Sequence, residues 1–102
     1  YPQCGNWRDS VRKFDPIEVG ARLVEARMAL GLRQVDICNR IDVSSSAWNR
    51  FETGERLIKP EIAQAFGEAY GFDLNFVYTG SERGLDDEMR QALAAQRRRK
   101  SA

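Results

Sequence analysis

Arg33–Gly54, RQVDICNRIDVSSSAWNRFETG, reads as two short helices joined by a tight turn. Val35, Ile37, Cys38 and Ile41 recur at helical spacing and are expected to form the buried side of the first, about Gln34–Ile41. Cys38 sits where another helix must come close, so it reads as a small core hydrophobe rather than a reactive thiol. Asp42 falls in the turn, and Asp tolerates a left-handed backbone better than most residues, though less well than Gly. Ser44 is placed to cap the second helix, which runs to about Thr53 and stops at Gly54. Ala47, Trp48 and Phe51 make its inward set, while Ser45, Ser46, Asn49 and Arg50 fall on the other side. A helix with polar residues in its first turns can enter the major groove of DNA.

The segments around this stretch also read as helices. Upstream, Asp15 is a good N-cap, Pro16 suits the first helical position, and Glu18 has capping-box spacing. Ile17, Ala21, Val24 and Met28 then recur at helical spacing, with Leu23 and Leu30 widening the stripe, and Gly31 ends the helix. These residues are expected to face the core. Downstream, Glu55–Lys59 is a basic loop that exposes Arg56 and Lys59. Pro60 opens a fourth helix with Ile62, Ala65, Phe66, Ala69 and Tyr70 on its apolar face, and Gly71 closes it. Asp73 caps a fifth, short helix holding Leu74, Phe76, Val77 and Tyr78, which Gly80 ends. No strand pattern of useful length is present, so the expected fold class is all-α.

The two ends read differently. Residues 1–14, YPQCGNWRDSVRKF, suggest an arm in which Trp7, Val11 and Phe14 cover the core. The other reading is that Arg8, Arg12 and Lys13 touch a phosphate or a groove. Residues 81–102 read as a separate unit of linker, helix and basic tail. Asp86, Asp87 and Glu88 crowd the helix start and Arg97, Arg98, Arg99 and Lys100 its end, which complements the macrodipole. Leu85, Met89, Leu93 and Ala92 give it a stripe too thin for independent stability, so it packs on something or frays.

Composition bounds the chemistry. The 102 residues amount to one domain, and no apolar run approaches the ~18 residues of a membrane span. No signal peptide opens the chain. Cys4 and Cys38 match no metal-ligand spacing and read as thiols, which suggests a cytoplasmic location. The absence of histidine removes His-based general-base catalysis and His-ligated zinc. No nucleophile–base pair, phosphate-binding glycine loop or metal set is recognisable, so neither an enzyme nor a cofactor is expected. The net charge of +1 is unevenly spread, because residues 17–80 carry 7 basic and 9 acidic side chains. A DNA-binding case therefore rests on where charges sit rather than on their total.

Three stretches together resemble the lambda-repressor-like helix-turn-helix domain, the Xre/Cro type of bacterial and phage regulators. They are RLVEARMALGLRQVDICNRIDVS, WNRFETGER and FDLNFVYTG, within Ile17–Gly80. The expected architecture is a five-helix domain over 15–80, with the helix-turn-helix at 33–54, plus a short C-terminal helix. The resemblance implies that Gln34 bonds a DNA phosphate and that the third helix is the recognition helix. Ser45, Ser46, Asn49 and Arg50 would then meet base edges, and Arg33, Gln34, Ser44, Arg56 and Lys59 phosphates. The plain alternative for each exposed charge is a solvated side chain. Arg27 and Glu52 occupy positions where the family has an ion pair between the first and third helices. The region of Phe76, Tyr78, Leu85, Met89 and Leu93 corresponds to a dimer surface.

This chain departs from the family at three positions. Arg33 stands where a helix-capping Thr, Ser or Asn is common, so that cap is weaker. Asp42 stands where Gly is common, and Trp48 where Ile or Val is usual, so Trp48 either overfills the core or pushes the third helix outward. The expected function is a dimeric, sequence-specific regulator of double-stranded DNA, a repressor of phage or prophage type reading a palindromic operator in the nucleoid. The alternative is an antitoxin or protein-interaction module that binds a protein partner with the same fold.

Overall fold

Asp15 starts the first helix by accepting the Ile17 N–H on its Oδ1 at 2.9 Å, and Pro16 needs no N–H there. The computed structural model describes residues 14–101, so the arm residues Trp7, Arg8, Val11, Arg12 and Lys13 lie outside it. Six helices follow in order: α1 (Pro16–Ala29), α2 (Gln34–Ile41), α3 (Ser45–Thr53), α4 (Pro60–Tyr70), α5 (Leu74–Thr79) and α6 (Asp87–Ser101). No strand occurs among the described residues, and the chain is all-α as its periodicity predicts.

The core-facing side of α1 includes Leu23 and Leu30 of the predicted stripe but is not centred on Ile17, Ala21, Val24 and Met28. Val19, Leu23 and Ala26 are buried, whereas Ile17 is 67% and Met28 47% exposed. Gly20 explains the choice. A Cβ there would lie 2.5 Å from the Phe51 carbonyl oxygen and 2.6 Å from that of Glu52. α3 therefore sits directly on the α1 backbone, and the Val19–Leu23–Ala26 side must turn inward with Gly20. Gly54 meets the same constraint from the other side. Its φ is +83°, and a Cβ would lie 2.7 Å from the Ile17 Cα.

Aromatic rings fill the space between α3, α4 and α5. Trp48 lies 5.4 Å from Phe66 between ring centroids, Phe66 stacks on Phe72 at 5.3 Å, and Phe72 on Phe76 at 5.1 Å. Trp48 is fully buried within this column. It does not push α3 away, because α3 lies too close to α1 to admit a methyl group at Gly20. On α2, Ile37 and Cys38 point inward as expected, but Val35 is exposed.

The C-terminal segment is part of the core rather than a separate unit. α6 packs against α1, with Leu85 and Leu93 buried beside it. Asp86 caps the helix, its Oδ1 accepting the Met89 N–H at 2.8 Å. Arg97 donates to Glu25 at 2.8 Å and to Glu82 at 3.0 Å, joining α6 to α1 and to the preceding loop. The thin apolar stripe is stabilised by this docking.

Candidate nucleic-acid interface

The turn between α2 and α3 takes three residues. Asp42 adopts φ 57° and ψ 56°, the left-handed conformation expected of it, and ends α2. The Val43 N–H donates back to the Cys38 carbonyl at 3.1 Å. Ser44 then caps α3 by accepting the Ala47 N–H on its Oγ at 3.1 Å. Burial and the close approach at Gly20 fix the helix's rotation. Trp48, Phe51 and Glu52 face inward, and Ser45, Ser46, Asn49 and Arg50 are exposed on one side.

Glu52 is the pivot of the inner face. Its side chain is only 3% exposed, yet its carboxylate accepts four hydrogen bonds, two on each oxygen. Oε2 accepts from Arg27 Nε and from Trp48 Nε1, both at 2.7 Å. Oε1 accepts from Gln34 Nε2 at 2.8 Å and from Arg27 Nη2 at 3.1 Å. Arg27 further donates to the Leu32 carbonyl at 3.0 Å. A buried carboxylate without partners would cost several kcal/mol, so this donor set is what makes the burial tolerable. The Trp48 indole N–H thereby gains its partner inside the core.

The network reaches the surface through Gln34. Its Nε2 also donates to Asn49 Oδ1 at 3.2 Å, so α2 and α3 are bridged side chain to side chain. Gln34 Nε2 thus already has two acceptors within the chain, a constraint on the phosphate role expected of it. Burial, and secondarily the Glu52 carboxylate, push the Cys38 thiol above its ordinary range and keep it protonated at neutral pH.

The cations lie at the edge of this face. Arg33 precedes α2 and contacts Asp36 at 3.1 Å, while the Asp36 Oδ2 accepts the Arg33 backbone N–H at 2.8 Å. The helix start lacks a capping Ser or Thr and has half of a capping box instead, with Arg33 donating from both its backbone and its guanidinium to the Asp36 carboxylate. The Arg33 side-chain hydrogen bond, then its backbone N–H, hold the Asp36 carboxyl below the usual carboxylate range. Arg50 lies 3.9 Å from Glu55, a loose and exposed pair. Pairs of this kind contribute about 0–1 kcal/mol, so a phosphate or base edge can displace the carboxylate. Arg56 and Lys59 are exposed on the loop after α3. That loop is held by Ile58, which is buried, and by the Tyr78 hydroxyl donating to the Ile58 carbonyl at 2.6 Å.

Burial corrects the expected dimer surface. Phe76, Leu85 and Leu93 are closed inside the chain's own core. Tyr78 and Met89 are half-buried, and the Tyr78 hydroxyl is committed to the basic loop. The Tyr78 hydroxyl thus helps hold the loop that carries Arg56 and Lys59, a contact its sequence context does not announce. Other roles had signals in the sequence. Trp48 and Glu52 are four apart on one helix, and Arg33 and Asp36 have capping-box spacing.

Two short helices, a three-residue turn and an exposed polar face on the second define a helix-turn-helix domain. The profile of the family described as "Helix-turn-helix domain" matches residues 18–75. The chain belongs to that family, in agreement with the lambda-repressor-like resemblance of its residues. A protein of Cereibacter sphaeroides named "Propionyl-CoA carboxylase regulator" is 31% identical over 75 residues, covering 74% of this chain and 16% of that protein. The chain thus spans about a sixth of the length of that curated relative. No solved structure matches it significantly. None of its described helices is long and apolar enough to cross a membrane.

Proposed function

We propose that this chain is the DNA-reading part of a sequence-specific transcriptional regulator of the Xre/Cro type, acting as a repressor in the bacterial nucleoid. The observation that carries the reading is the split of α3. One side is locked into the core by Trp48, Phe51 and the four bonds to Glu52. The opposite side holds Ser45, Ser46, Asn49 and Arg50 in the open. In the proposed complex α3 enters the major groove and these four residues meet base edges. Arg33, Arg56 and Lys59 flank them and neutralise phosphates on either side, and the Ser44 hydroxyl donates to one. Gln34 contributes through the first N–H groups of α2, which have no partner within that helix.

One α3 reads only a few base pairs, so two copies related by a two-fold axis supply the length of a palindromic operator. The family match and the relative's printed name support regulation of transcription. Selection from randomised duplex DNA tests the proposal, with a palindromic motif as the expected result. Arg50→Ala should then weaken binding to the selected site by about 1–3 kcal/mol and relax preference at one position. An unchanged motif would remove Arg50 from base reading, and no motif at all would favour a protein partner instead.

A further inference from the structure

We infer that Asn49 turns its amide nitrogen, and so its hydrogen-bond donors, toward DNA, because the buried Glu52 carboxylate sets the direction of two successive side-chain amides. The inference rests on the proposed DNA-reading role of α3 and adds which base edges Asn49 accepts.

The chain of constraints starts with a group that has one polarity. An ionised carboxylate accepts and never donates, so the Gln34 atom facing Glu52 Oε1 at 2.8 Å must be the amide nitrogen. With the amide reversed, two oxygens would face each other at that distance, inside a site whose acceptor is 3% exposed. Gln34 Nε2 carries two hydrogens, and its second contact is to Asn49 Oδ1 at 3.2 Å. Asn49 must therefore offer its oxygen inward to Gln34, which leaves its Nδ2 hydrogens for the exposed face.

Asn normally reads adenine by donating to N7 and accepting from the N6 amino group at once. That pairing needs the Asn oxygen to lie beside its nitrogen on the base edge, whereas here the oxygen is turned toward Gln34 and one of its two lone pairs is taken. With its nitrogen outward, Asn49 is suited to bases that present acceptors in the major groove, guanine through O6 and N7 or thymine through O4. It disfavours cytosine, whose major-groove edge is a donor. Gln34 and Glu52 act here as positioning residues for the Asn49 contact, at the base pair where that contact falls.

The test has two arms. The first needs no DNA. In the free protein, the side-chain amide protons of Gln34 should exchange with water several-fold more slowly than those of the exposed Asn39, and those of Asn49 should not. Slow Asn49 protons with fast Gln34 protons would overturn the inference, whatever the chain binds. The second arm is selection from randomised duplexes with three proteins. The parent should favour guanine or thymine at the Asn49 position. Gln34→Leu frees the Asn49 amide to turn and should raise the share of adenine there about tenfold, within the range of a bidentate contact. Asn49→Asp keeps an acceptor for Gln34, places a second one outward, and should shift the preference toward cytosine. A uniform loss of affinity for both variants, with no change of base preference, would overturn the inference and reduce Gln34 to a structural role. An intact amide order in a protein that selects no sequence would instead defeat the DNA-reading proposal, and the base preference with it.

Discussion

Two arginine–carboxylate clusters tie helices to α1, and they differ in burial rather than in length. Arg27 meets Glu52 at 2.7 Å, and Arg97 meets Glu25 at 2.8 Å. Distance alone would rank them as equals. Their side chains are 17% and 3% exposed in the first pair, but 47% and 25% in the second. Where water is excluded, each lost bond leaves a charge without solvent. Where water is present, it replaces the partner. The first cluster holds the proposed reading helix and the second holds α6. The fold thus places its least replaceable polar contacts behind the proposed reading surface.

Truncation of Glu52 is the severest way to break this contrast. Glu52→Ala leaves Arg27, Gln34 and Trp48 Nε1 without their shared acceptor and should destabilise by about 3–5 kcal/mol. Thermal unfolding should fall by about 15–30 °C for a domain of this size. A loss below 1 kcal/mol in urea titration would show that the burial of Glu52 does not matter energetically.

The α6 dock should depend on its apolar contacts instead. Leu93→Ala removes a fully buried side chain and should cost about 2–4 kcal/mol, with faster amide exchange along α6. Arg97→Ala, on the same helix, should cost less than about 1 kcal/mol because the pair is screened. Added salt should shrink that difference further. If Arg97→Ala proved as harmful as Glu52→Ala, burial would not be the variable that separates the two clusters.

The Arg33–Asp36 pair, 78% and 34% exposed, extends the series to its weakest member. The Asp36 carboxyl is held below its usual range by Arg33, so it favours the folded state only while ionised. Its contribution is therefore present above the unfolded value of about 3.9 and is lost as pH falls through the lower folded value. Asp36→Asn should differ from the parent at neutral pH, and the difference should close below about pH 4. A stability difference that stays constant down to pH 2 would contradict the pairing.

Much of this was legible in the residues. Asp15, Ser44 and Asp73 each accept a backbone N–H at the start of their helices, as their sequence positions predict. Such caps depend on a few consecutive residues, so local sequence suffices for them. The orientation of α1 was not legible in this way. Val19–Leu23–Ala26 and Ile17–Ala21–Val24–Met28 both repeat at helical spacing, and the second is the longer series. Gly20 was the available signal, since a glycine inside a helix costs about 1 kcal/mol and implies a close backbone approach. The burial of Phe76, Leu85 and Leu93 was hidden for a related reason. An apolar side chain on a short helix reads the same whether its own chain or a second copy covers it.

The residues alone therefore establish six helices, the caps of three of them at Asp15, Ser44 and Asp73, and the polar face of α3 that the family resemblance marks as the reading surface. Propensity, capping and periodicity act over a few residues, and they need no knowledge of the rest of the molecule. Packing settled which side of α1 faces inward, how α6 is held, and which way the Gln34 and Asn49 amides point. Each of these depends on atoms brought together from distant parts of the chain. The amides show it most directly. Both orientations have the same composition and shape, and the difference arises only when a buried carboxylate from α3 meets an amide from α2.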